Sequence, residues 1–326
     1  MPTQRIPFLI LAAMSAACGH DEPPAPAATA QVAPPAPPSE AAKQAFYRGK
    51  ELYQAEQPIE ALAEMRRAVE LAPDWAEAEL ALGKLLLTLS FVRFGTATKE
   101  HSLMDEGQAA LERAVALRPD HVESLYWAAH GHYVARRWEA AEPAFQRVLA
   151  LDQGHKLATK ELGIVYENQG EPARARDTFL RARELNRLDD EVRFHLGMVL
   201  LDLDDLAGAK EEFLACLALN PAHPGPRTQL VTVCQRLGQP QESERHAAEL
   251  ERFKPLRQRL TKTLEQASAR PRDVEALLAV AQVYREIGMP VAALQWVERA
   301  LALAPEHEQA RSLKDALDAA GKGTDR

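Results

Sequence analysis

Between Lys156 and Asp189 the apolar and small residues fall into two short runs separated by a turn. In the first run Leu162 and Tyr166 stand four apart, so they share one face of a helix. In the second, Ala175, Phe179 and Ala182 recur at helical spacing. Gly170-Glu171-Pro172 separates the runs: Gly takes the positive φ that closes a helix, and Pro suits the first turn of the next. The pattern predicts a hairpin of two helices, A and B. Gly163 carries no side chain and lets helix B approach. Ala175 and Ala182 do the same from the other side, and Phe179 fills the space between.

This pattern recurs along the chain. Repeat 1 spans Ala42–Trp75 with Leu52, Ala61, Met65 and Ala68, and repeat 2 starts at Ala76 with Leu82-Gly83. Repeat 3 is Val122–His155, repeat 4 is Lys156–Asp189, and repeat 5 starts at Asp190 with Leu196-Gly197, Phe213 and Cys216. Repeat 6, Pro224–Arg257, is degenerate: Val231 and Leu250 stand where small residues belong, which predicts a looser or longer helix pair. Leu256–Asp273 is out of register and reads as a helical extension, with Leu256, Leu260 and Leu264 four apart. Repeat 7 is Val274–His307. Glu308–Ala320 is apolar on one side at Leu313 and Leu317, as a terminal capping helix must be.

The prolines fix the register. Pro58, Pro172, Pro240 and Pro290 open helix B; Pro73, Pro119, Pro221, Pro255 and Pro305 fall just past it, where Pro stops a helix. Repeat 2 carries about a dozen extra residues within Thr88–Gly107. Phe91, Val92 and Phe94 there predict a longer helix A before a loop at Gly95–Thr98; contact with a partner is the other reading.

Leu162-Gly163, Tyr166, Ala175, Phe179 and Ala182, with the repeated prolines, resemble the tetratricopeptide repeat (TPR) signature W-x2-L-G-x2-Y followed by A, F, A and P. A single unit has few large apolar side chains. At about 1.5–3 kcal/mol each, they cannot offset backbone ordering at about 1–2 kcal/mol per residue, so the units must stack. The resemblance implies an all-α fold, a right-handed α-solenoid of about seven TPR helix pairs with a C-terminal capping helix. It also implies a scaffold that binds a protein partner, as a peptide or a helix, along the concave face formed by the A helices. Carried over position by position, the groove residues are Phe46, Tyr53, Leu80, Leu87, Tyr126, His130, Tyr133, Ile164, Phe194 and Met198, interleaved with Lys50, Lys84, Lys160, Glu167 and Leu201. Apolar side chains on a face expected to be wet mark an interaction surface, or else pack on one another. Chaperone-type members hold a carboxylate with Lys and Asn; Asn168 stands alone here, so that partner class is not supported.

Composition adjusts the picture. Hydrophobic residues make up 46% and aromatics only 6%, so Ala and Leu build the core. The formal charge of -8 argues against nucleic acid, which is held by clustered cations. Residues 1–17 read as a secretory signal: Arg5, then an apolar run from Ile6 to Met14 too short to span a bilayer. Ser15-Ala16-Ala17-Cys18 resembles a bacterial lipobox, which implies a lipid on Cys18 and a place in the cell envelope, on the periplasmic face of the outer membrane. A plain cleaved signal and an uncleaved start are the alternatives. Residues 18–41 are a Pro- and Ala-rich linker without apolar period, too poor in apolar surface to order itself. Repeats 1–6 fill 42–257, the extension 258–273, repeat 7 274–307, the cap 308–322 and a tail 323–326.

No catalytic constellation is visible, no substrate or cofactor is implied, and no segment is left for a separate catalytic domain. His130 and His132 lie two apart, about 200° around a helix, so they cannot easily share a metal. Gly321-Lys322-Gly323-Thr324 lacks the Gly and strand of a phosphate loop. Cys216 and Cys234 fall at packing positions of adjacent repeats; an exported chain also permits a disulfide between them. Five arginines on helix B of repeat 4 read as a solvated face, or as a surface for an acidic partner. The functions implied are an interaction scaffold at the envelope, or an adaptor for a cell-wall enzyme or for pilus or secretion machinery.

Overall fold

The computed structural model describes residues 37–55, 57–91 and 97–322. Cys18, Val92, Phe94, Gly95 and Gly323–Thr324 lie outside them. The described residues form fifteen α-helices and no strand. The pairs are α1 Glu40–Gln54 with α2 Pro58–Leu71, α3 Ala76–Phe91 with α4 Ala97–Leu117, and α5 Val122–Val134 with α6 Trp138–Leu151. Then follow α7 Lys156–Asn168 with α8 Pro172–Leu185, α9 Asp190–Asp202 with α10 Leu206–Leu219, and α11 Pro224–Arg236 with α12 Pro240–Ala269. α13 Val274–Ile287 pairs with α14 Pro290–Leu303, and α15 Glu308–Lys322 packs on α14.

Each helix packs on the next, so the chain is a solenoid. α3 also touches α5, α5 touches α7 and α7 touches α9, whereas the second helices of neighbouring pairs approach one another less closely. The first helices therefore form the shorter, inner row. Gln54 and Ala55, at the end of α1, line a cavity of about 260 Å3 together with Pro271, Arg272, Arg299, Ala302 and Leu303. The first repeat thus comes round to face the last.

Phe145, Phe179 and Phe213 occupy one position in three successive repeats, and all are fully buried. Each contributes about 1.5–3 kcal/mol by leaving water. In repeat 6 that position is Ala247, which is exposed, and Val231 replaces the facing glycine. The ends of the hairpins are equally regular. Asp189 and Asp273 cap the first helix of their units with a carboxylate; His121, His155, His223 and His307 do so with Nδ1, which accepts a backbone N–H at 3.1–3.4 Å.

Two expectations are corrected. Pro255 does not stop a helix: it lies inside α12, which runs for 30 residues and takes in most of the extension. Phe253, Leu256 and Leu260 pack against Ala222, Val283 and Ile287, and Leu260 and Leu264 against the core of repeat 7. That burial outweighs the roughly 3 kcal/mol of a mid-helix proline. Repeat 2 does have a longer first helix, α3 with 16 residues against 13 in α5, α7 and α9, but its second helix takes up more of the surplus. α4 has 21 residues against 14 in α6, α8 and α10, and Ala97 and Thr98 belong to it rather than to a loop.

Candidate functional site

On the inner row, α1, α3 and α5 surround a cavity of about 540 Å3. Phe46, Tyr53, Leu80 and Trp127 give it apolar walls; Lys50 and Lys84 stand among them. Phe46 is held by Trp75, ring centroids 4.7 Å apart, and the Lys50 ammonium lies 5.7 Å from the Phe46 ring. Lys84 sits 4.9 Å from the Trp127 ring and donates to Glu123 at 2.7 Å. That hydrogen bond holds the Glu123 carboxyl below its ordinary value. Tyr53 is half exposed. The cavity therefore pairs an apolar floor with cations whose ammonium groups lie over aromatic faces.

Further along the row the wall is polar and closed. The Tyr126 hydroxyl donates to Glu161 at 3.1 Å, and His130 Nδ1 meets both oxygens of the same carboxylate at 3.1 Å. Tyr133 stacks on His130 with centroids 5.8 Å apart. Burial, then the charge of Glu161, pushes the phenols of Tyr126 and Tyr133 up, so both remain protonated donors. His195 Nδ1 reaches Glu167 at 2.7 Å. Burial opposes the charge of Lys160, but Glu191 and Asp189 hold its pKa above the ordinary value.

The ten residues expected along the groove thus divide. Phe46, Tyr53 and Leu80 meet in the cavity. Leu87 is buried against Leu111, Ala114 and Ala128, and Ile164 lies in the central core with Tyr126. Leu87, Ile164 and Tyr126 do not line the cavity, because packing between neighbouring helices encloses them. His130 and Tyr133 are half-buried in the polar wall. Phe194 and Met198 are half-buried on the Phe213 cluster, with Phe194 5.0 Å from the His223 ring.

Trp127 and Glu161 were not among the expected residues. They share one repeat position with Ala81 and His195, the sixth of each unit. Ala81 and Trp127 line the cavity, and Glu161 and His195 carry the polar wall. The signal was available: this position holds Trp, Glu and His where a core position would hold aliphatic residues.

Other candidates are absorbed by the fold. His130 and His132 have different neighbours: Glu161 for one, Gln108 and Glu112 for the other. The α8 arginines are largely paired. Arg174 bonds Glu142 and Glu171 and covers Tyr166, Arg183 bonds Glu212, and Arg176 bonds Asp177. Cys216 and Cys234 are buried free thiols.

A family model for the tetratricopeptide repeat matches residues 95–156, 160–224 and 257–308, together more than half of the sequence. The chain belongs to the tetratricopeptide repeat family. Such repeats generally mediate protein interactions rather than catalysis, and this TPR chain is an interaction scaffold. No curated protein matches it. Among solved structures, PilF of Pseudomonas aeruginosa is similar over 66% of this chain and 93% of its own, with 18% identity and a TM-score of 0.54. MamA of Desulfovibrio magneticus RS-1 is similar over 56% of this chain and 97% of its own, with 18% identity and a TM-score of 0.50. At such identity the likeness is one of fold.

Proposed function

We propose that this TPR chain is a non-enzymatic scaffold of a bacterial cell envelope, lipid-anchored at Cys18, that receives a peptide or helix of a protein partner on its inner row. The observation that carries the binding reading is the cavity of about 540 Å3 between α1, α3 and α5, with Phe46, Tyr53, Leu80 and Trp127 on its walls. Aromatic side chains beside an open concavity serve as anchors for a partner's apolar residues. The partner presents an apolar residue to that floor, and a carboxylate or backbone carbonyl to Lys50. The anchor reading rests on the lipobox-like Ser15–Cys18 and the linker after it.

Crosslinking and capture from native membranes tests the groove. Tyr53→Ala combined with Trp127→Ala is expected to lose the partner seen with the wild type, and an unchanged set of partners refutes the groove. Membrane fractionation of Cys18→Ala tests the anchor separately: the variant is expected in the soluble fraction, and continued flotation with membranes refutes lipidation.

A further inference from the structure

The α11–α12 hairpin of the degenerate repeat brings three donor groups together. Cys234 lies in the last turn of α11. Glu242 and His246 lie four apart near the start of α12, on one helix face. The thiol sulfur, a carboxylate oxygen and an imidazole nitrogen all fall within 4.8 Å of one another. Donor atoms around a tetrahedral zinc ion stand about 3.3–3.8 Å apart. A contraction of roughly 1 Å therefore completes the set, and the side chain of Glu242, exposed on its helix, supplies it.

A second observation points to a ligand. His246 is only 8% exposed, and its Nδ1 is buried with no hydrogen-bond partner. A buried polar atom left unpaired is unfavourable, and coordination removes the penalty. Lys210 holds Oε2 of Glu242 at 2.6 Å, which leaves Oε1 for an ion.

We propose that Cys234, Glu242 and His246 bind one divalent transition-metal ion of the zinc or cobalt type, with one coordination position left open. A thiolate and an imidazole select such borderline ions over calcium or magnesium, which require oxygen donors. The two anionic ligands balance the charge of the ion. Cys234 loses its proton to solvent as the sulfur–metal bond forms, and nothing is oxidised or reduced.

A neighbouring set, Asp190, Cys216 and His223, has the same spread but a different standing. Nδ1 of His223 accepts the Gly225 N–H at 3.2 Å to cap α11, and Asp190 accepts from Asn220 at 2.8 Å. The Nδ1 of His223 is thus paired where that of His246 is not, so this set is the internal control.

Titration of the full chain with Co(II) tests the site. One equivalent is expected to bind, with a sulfur-to-cobalt charge-transfer band in the near ultraviolet. Cys234→Ser is expected to abolish that band, and Glu242→Gln and His246→Gln each to weaken binding at least about tenfold. Cys216→Ser and Cys18→Ser leave it intact. No binding by the wild type, a band that survives Cys234→Ser, or one lost equally in Cys216→Ser overturns the proposal. Should circular dichroism show Cys234→Ser unfolded, Glu242→Gln decides, because an exposed side chain is dispensable for folding. Unchanged affinity in that variant overturns the site.

Discussion

A Cβ placed on Gly163 would stand 2.6 Å from Cε1 of Phe179, and its other near neighbours are atoms of the same ring. The same relationship recurs one repeat later, where Gly197 faces Phe213 at 2.5 Å. Both rings are fully buried. The glycine is needed because the ring already fills the space its side chain would take.

Gly163→Ala and Gly197→Ala are therefore expected to destabilise the solenoid by about 1–3 kcal/mol each, the usual effect of overpacking. Gly49→Ala is expected to cost less. Its nearest neighbours are Cε and Cγ of Met65, at 3.1 Å on a flexible side chain. Midpoints of urea unfolding measured for the three variants give the order, and equal midpoints would refute it.

Arg136 and Asp204 adopt φ of 55° and 62° at turns where Gly170 and Gly238 stand in other repeats. The turn closes the same way in each: Arg137, Glu171, Asp205 and Gln239 each donate a backbone N–H to a carbonyl five residues back, in the last turn of the helix. Arg136→Gly should raise stability by about 0.5–1 kcal/mol, since a left-handed non-glycine residue costs more than the entropy glycine adds. Asp204→Gly should gain less, because it also removes the exposed ion pair with Arg236. Thermal unfolding of the two variants checks both the sign and the ranking.

His132, His223 and His246 are all held below the usual histidine pKa, with burial the largest cause in each. Asp190 and Glu191 oppose the shift at His223 while His195 adds to it. At His132, Glu112 opposes and Arg137 adds; at His246, Glu249 and Glu242 oppose and Arg227 and Arg245 add. Such groups bind fewer protons folded than unfolded. Their contribution is complete above the unfolded value of about 6.5 and is lost as pH falls through the lower folded values. The melting temperature should therefore drop as pH falls below about 6.5. His223→Asn, which caps α11 without titrating, should flatten part of that drop.

Glu79 is 1% exposed and takes both hydrogen bonds of Arg113, from Nε at 2.7 Å and from Nη2 at 2.9 Å. Arg113→Met leaves this carboxylate buried without its partner, at an expected cost of about 2–3 kcal/mol. Adding Glu79→Leu to Arg113→Met should restore most of the loss. A double-mutant cycle by denaturant unfolding gives the coupling, and additive effects would refute it.

The repeat architecture could be read from residues whose reason for being there is local. Glycines that admit a ring, prolines that open second helices and small residues 34 apart fix hairpin after hairpin. Two features escaped because their cause is distant in sequence. Pro255 continues a helix because Phe253 and Leu256 find Val283 and Ile287 across the next hairpin. Leu87 and Ile164 are enclosed because neighbouring helices cover them, which a register position does not record. The cavity was half legible: Phe46, Tyr53 and Leu80 follow from the family template, whereas Trp127 sits on a position that the template leaves out.

The cavity shared by Ala55 and Leu303 has a mechanical consequence. It sets the first and last coils of a helical spring across a gap from one another, so the spring opens or closes at that seam. On the binding reading proposed above, a long partner segment would thread in along the axis or enter as the ends separate. On that reading, loading and release would be governed from the seam, which Gln54 joins directly to the aromatic floor.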